Sequence, residues 1–94
     1  SEGVVILAVT VSRSKKKIVA GPDVQMRGFV YAKDAELIQR DASKIFVATV
    51  NDFLAQDGYR LEEIRQTVYE RCLRAIRRQT GKEPMVLPLI IEVA

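Results

Sequence analysis

Residues 21–36 read GPDVQMRGFVYAKDAE, and inside them the chain changes its hydrophobic period. On the N-terminal side, residues 3–12 (GVVILAVTVS) form a near-continuous, β-branched apolar run, the pattern of a strand covered on both faces. On the C-terminal side, from Lys33, apolar residues recur at helical spacing as Leu37, Ile38, Ala42, Ile45, Phe46, Thr49 and Phe53. A second stripe, Val47, Val50 and Leu54, widens that face, which suits a helix packed on both a sheet and a second helix, or else a partner surface. Asp34 suits the cap of this helix. The junction itself is heavily punctuated. Gly21-Pro22-Asp23 has the composition of a turn, but Gly28 stands in an apolar Arg-Gly-Phe tripeptide and needs a reason of its own. Either a positive φ or the close approach of another backbone supplies one. Arg27 beside it can clamp carbonyls or a carboxylate with its planar fork, or stand as a solvated charge.

Outward from this stretch, Arg13-Ser14-Lys15-Lys16-Lys17 is a basic turn, and a second strand starts at residues 18–20, so a hairpin is predicted. Residues 56–60 break the first helix, with Gly58 suited to a left-handed end. Leu61, Ile64, Val68, Cys72, Ala75 and Ile76 then mark a second amphipathic helix that closes at Thr80-Gly81, and Pro84 forbids its continuation. Residues 85–93 (MVLPLIIEV) read as a last strand in which Pro88 removes a ladder donor, the mark of an edge or a bulge. The order ββααβ predicts an α+β two-layer sandwich, a three-stranded sheet with two helices on one face.

A chain of 94 residues is one domain. It contains no histidine, which removes the commonest zinc ligand and the usual neutral-pH general base together. Its one cysteine, Cys72, has no internal partner and lies on an apolar helical stripe, so a buried structural thiol in a reducing cytoplasm is expected. No apolar run reaches the roughly 20 residues of a membrane span, and Ser1-Glu2-Gly3 is not the charged start of a signal peptide. Beginning in one strand and ending in another, the sequence reads as a domain cut from a longer protein.

Asp23, Asp34 and Glu36 lie near one another in sequence, but turns and helix starts call for acids anyway, and nothing converges them into a metal or acid–base site. Gly21 and Gly28 match no phosphate-loop spacing. No catalytic, metal or cofactor residue is therefore assigned. Arg71, Arg74 and Arg78 share one helical face, joined by Arg77 and Lys82, with no acid in residues 71–82. This patch is the candidate RNA contact, although cations near a helix C-terminus are also favoured by its dipole and Glu70 is spaced to pair with Arg74. The net charge is only +3, which suits a solvated face.

AGPDVQMRGFVY (residues 20–31) and KEPMVLPLIIEV (residues 82–93), separated by two amphipathic helices, resemble the C-terminal domain of the ribonuclease J family. The resemblance spans essentially the whole chain. It implies a larger enzyme that cleaves RNA endonucleolytically and 5′-to-3′ exonucleolytically, built on a metallo-β-lactamase core with two zinc ions and an inserted β-CASP domain. None of that family's zinc-binding histidine motifs occurs in this sequence, so zinc is expected in the parent's catalytic domain only. The resemblance assigns this domain a supporting role: homo-oligomerisation, placement of the catalytic domains, and contact with RNA through the parent enzyme. Arg27, Gly28 and Phe29 are then the expected interface or structural clamp.

Overall fold

A computed structural model of the chain describes residues 3–29 and 31–94; Ser1, Glu2 and Val30 lie outside the described residues. The elements are β1 (Val4–Ser12), β2 (Lys17–Arg27), α1 (Ala32–Leu54), α2 (Leu61–Thr80) and β3 (Met85–Val93). The sheet order is β2-β1-β3, with β1 antiparallel to β2 and parallel to β3. The predicted α+β sandwich with order ββααβ is the one observed.

Alternation along β1 builds the core. Val5, Leu7, Val9 and Val11 are buried beneath the helices, against Ile38, Ala42, Phe46 and Val50 of α1 and Ile64, Val68, Cys72 and Ile76 of α2. The wide face of α1 is used up within the fold by the sheet and by α2, as a packed helix requires. On the other side of β1, Val4, Ile6, Ala8 and Thr10 are only partly buried. The expectation of a strand covered on both faces is thus corrected: both faces are apolar, but the helices cover one.

The Gly-Pro-Asp segment is also corrected. It is no turn between elements, because β2 runs unbroken from Lys17 to Arg27 and holds the cis Gly21–Pro22 peptide within it. Ala8 pairs with Asp23 while Thr10 pairs with Ala20, so β2 carries an extra residue there and bulges. Gly21 takes a φ of +85° at that bulge. The helix start differs too: Tyr31 occupies the N-cap position without a side-chain cap, and Asp34 sits inside the first turn, where its charge faces the helix dipole. The end of α2 follows expectation, with Gly81 left-handed at φ 73° and its N–H donating to the Arg77 carbonyl at 2.9 Å.

Gly28 has both of the properties proposed for it. Its φ is +80°, and a Cβ there would stand 3.2 Å from the Gly3 Cα. Gly3 in turn accepts the Met85 N–H at 2.9 Å, the first bond of the β1–β3 ladder. Gly28→Ala is therefore expected to destabilise the fold by about 1–2 kcal/mol from the left-handed φ alone. Urea unfolding checks this; an unchanged midpoint would refute it.

Candidate interaction surface

The face of the sheet away from the helices is open. Alternation along β3 sends Val86 and Ile90 to the core and leaves Met85, Leu87, Leu89, Ile91 and Val93 between 41% and 58% exposed. Register places Met85 beside Val4, Leu87 beside Ile6, Leu89 beside Ala8 and Ile91 beside Thr10. The apolar surface is thus continuous across two strands. Scattered exposed apolar residues are ordinary on a monomer, but a contiguous stripe of this kind makes the face the candidate interaction surface.

Pro88 tells how the neighbouring edge is treated. The Met85 N–H bonds to Gly3 and the Val93 carbonyl accepts from the Arg13 N–H, so odd-numbered residues of β3 bond inward to β1. By the two-residue period of a strand, Val86, Pro88, Ile90 and Glu92 turn their backbone groups to the free edge. Pro88 therefore removes no ladder bond, and it interrupts the outer row of donors, a device that discourages strand addition.

Of the predicted clamp, Arg27 is exposed and its Nη1 donates only to the adjacent Met26 carbonyl, at 2.8 Å. Gly28 lies against Gly3, and Phe29 packs partly buried on the core. The basic residues of α2 are brought to one end of the helix but are largely engaged. Arg71 donates to Thr49 Oγ1 at 3.2 Å and lies 3.7 Å from Asp52, Arg77 pairs with Glu83, and Lys82 sits 5.9 Å from the Tyr31 ring centroid. Arg74 and Arg78 have no ion-pair partner among the described residues. The expected Glu70–Arg74 pair does not form, since Glu70 instead accepts from Gln66 at 2.9 Å.

Cys72 is fully buried, and burial pushes its thiol up to about 12. It is consequently protonated and unreactive at neutral pH. Grooves on the outer helix faces, one lined by Arg60, Glu63, Thr67 and Glu70, are open to solvent, and the described residues contain no group of three potential metal ligands.

Sequence reasoning missed one cluster. Arg13, at the β1–β2 turn, pairs with Glu92 of β3 at 2.8 Å and lies 4.3 Å over the ring of Tyr59, whose hydroxyl donates to the same carboxylate at 3.1 Å. These residues are far apart in the chain and carry no local spacing signal. The hydrogen bond from Arg13 holds the Glu92 carboxyl below its ordinary range, against the opposing cost of burial and with smaller help from the Tyr59 hydrogen bond and the Arg13 charge. A carboxyl lowered in the folded state contributes stability above its unfolded value and loses it as pH falls through the folded one. Glu92→Gln is thus expected to flatten the acid side of the stability profile, read from denaturant midpoints between neutral pH and about pH 3. An acid limb identical to that of the unmodified chain would refute the assignment.

Fold and surface together define a small α+β sandwich with an open apolar sheet face beside a protected edge. The chain belongs to the Ribonuclease J C-terminal domain family, whose sequence model matches residues 1–93. It is 33% identical over 92 residues to a Streptococcus pyogenes protein named Ribonuclease J 2, covering 98% of this chain and 17% of that protein. Proteins of the same name from Staphylococcus aureus and Staphylococcus epidermidis are 30% and 29% identical over 92 residues, with 16% of each covered. The chain thus spans about a sixth of the length of these curated relatives. No helix among the described residues is long and apolar enough to cross a membrane.

Proposed function

We propose that the chain is the non-catalytic assembly domain of a zinc-dependent ribonuclease J that processes and degrades RNA in the cytoplasm. The observation that carries this is the open apolar face of β1 and β3, a surface the chain's own helices leave uncovered. Five β3 side chains that are each about half exposed would each gain on the order of 1 kcal/mol by full burial. Without histidine, and with its one thiol buried, the chain does not fit a catalytic zinc site. The metal and the cleavage chemistry are assigned to the remaining five-sixths of the parent, and this domain holds copies of the enzyme, and their catalytic domains, in position.

The test is sedimentation of the chain over a concentration series up to about 1 mM, in parallel with Leu89→Asp. The unmodified chain is expected to self-associate. A carboxylate in the centre of the face should weaken association by roughly tenfold or more, because it would be buried without a partner. Both side chains are exposed in the single chain, so the far-ultraviolet spectrum should not change. A strictly monomeric chain would overturn the reading.

Direct RNA binding by α2 is the competing role, and its salt dependence separates the two. With Arg74 and Arg78 as the uncommitted cations, single-stranded RNA should bind weakly, with a log–log salt slope of at most about 1.4, two contacts at roughly 0.7 each. Two exposed aromatics border the patch, Tyr31 beside Lys82 and Tyr69 in a groove with Arg74 and Arg77, and base stacking on them is what would have to supplement so few cations. Submicromolar binding at physiological salt, lost on replacing both arginines by glutamine, would promote RNA contact over assembly.

A further inference from the structure

We propose that the open face is self-complementary. Two copies pack sheet on sheet about a two-fold axis that crosses the strands at the Gln25–Ile6–Leu87 row, and Asp23 of each copy meets Arg27 of the other. This rests on the assembly reading above and adds its geometry.

The register supplies the argument. Arg27, Gln25 and Asp23 of β2 lie beside Val4, Ile6 and Ala8 of β1, and the same rows continue to Met85, Leu87 and Leu89 of β3. Val24 and Met26 pack against the core, so strand alternation turns Asp23, Gln25 and Arg27 to the open side. The face is therefore apolar over β3 and β1 and bordered along β2 by a polar row in which Arg27 and Asp23 flank Gln25, with Lys17 at the far end of the strand beyond the bulge. Asp23 and Arg27 are both exposed. Asp23 has no partner among the described residues, and Arg27 reaches only a neighbouring carbonyl. They stand four residues apart, about 13 Å at roughly 3.3 Å per residue, with Gln25 midway.

An isologous contact places the same patch on both partners, so its charges must match under the two-fold operation. An axis across the strands at the Gln25 row lays β2 over β2 and β3 over β3 in antiparallel sense. Each Asp23 then faces an Arg27, twice per dimer, and Met85, Leu87 and Leu89 of one β3 meet Leu89, Leu87 and Met85 of the other, with Ile91 and Val93 beyond the paired rows. The other in-plane axis, along the strands, would set the charged row of one copy on the apolar β3 of the next and strand both charges. Pairing through the β3 edge is opposed by Pro88 among its outward groups. Sheets stacked face to face cross at about 30°, an offset that the long arginine side chain spans.

The experiment compares five samples of the chain by sedimentation equilibrium: unmodified, Asp23→Arg, Arg27→Asp, the double variant, and an equimolar mixture of the two single variants. All are surface changes, and circular dichroism verifies the fold of each. Each single variant places like charges opposite one another twice and is expected to weaken dimerisation at least about tenfold. The double variant restores opposite charges, and the mixture forms a heterodimer, both to within about threefold of the unmodified affinity. Single variants that associate normally, or a double variant as weak as the singles, would overturn this geometry. If Leu89→Asp still disperses the dimer in that case, assembly through the face survives and only the two-fold register fails. A monomeric unmodified chain would overturn both.

Discussion

Phe46→Ala is expected to destabilise the domain by about 3–5 kcal/mol, the range for removing a fully buried aromatic ring from a core. Phe46 is 0% exposed and sits on the face of α1 that meets the buried cluster of β1 and α2. A domain of 94 residues has a total stability of about 5–14 kcal/mol at about 0.05–0.15 kcal/mol per residue, so this one change removes at least about a fifth of it. Denaturant midpoints measure the loss, and a change below about 1 kcal/mol would show that the ring is not where the core places it.

Gly21→Val is expected to cost about 2–6 kcal/mol, the sum of a left-handed β-branched residue and of overpacking. The φ is +85°, and a Cβ would stand 2.9 Å from the Ala8 carbonyl oxygen and 3.3 Å from the Asp23 nitrogen, both backbone atoms. Backbone on either side cannot swing away as a flexible side chain would. Gly58 is the internal control: its φ is +74° but nothing lies within 4 Å of a Cβ there. Gly58→Ala should consequently show only the conformational part, about 1–2 kcal/mol. Equal losses at the two positions, measured by urea unfolding, would show that close approach at the bulge contributes nothing. Because the bulge sets which β2 residues stand beside β1, a Gly21 variant that still folds should also disturb the placement of Asp23.

The two helices were legible because their apolar residues recur at 3.6-residue spacing and α2 ends at Gly81 ahead of Pro84, signals that depend on local backbone alone; Gly58 is left-handed as expected but stands beyond the right-handed Ala55 cap of α1. Pro88 was legible as an edge marker for the same reason: a missing N–H is tolerable only where no strand follows. The Gly21-Pro22-Asp23 segment misled because its composition suits a turn and a bulge equally well. What separates the two is the pairing of β2 with β1, a long-range condition. The interaction surface was half visible. Residues 85–93 read as an apolar last strand, but composition does not say which alternate side chains the helices cover.

Sequence alone determined the order of elements, the absence of histidine chemistry, the positions where the chain must turn or cap, and the family resemblance at its two ends. Each follows from residue type and spacing. Tertiary structure decided the rest: that β3 lies parallel to β1 and not beside β2, that Gly28 rests on Gly3, that Arg13, Tyr59 and Glu92 meet, and that Asp23 and Arg27 border an uncovered sheet face. Those juxtapositions join residues as far apart in the chain as Val4 and Met85, paired between β1 and β3, and arise from packing two helices on one side of a twisted sheet. The sheet's second face stays open because two helices provide only one covering layer.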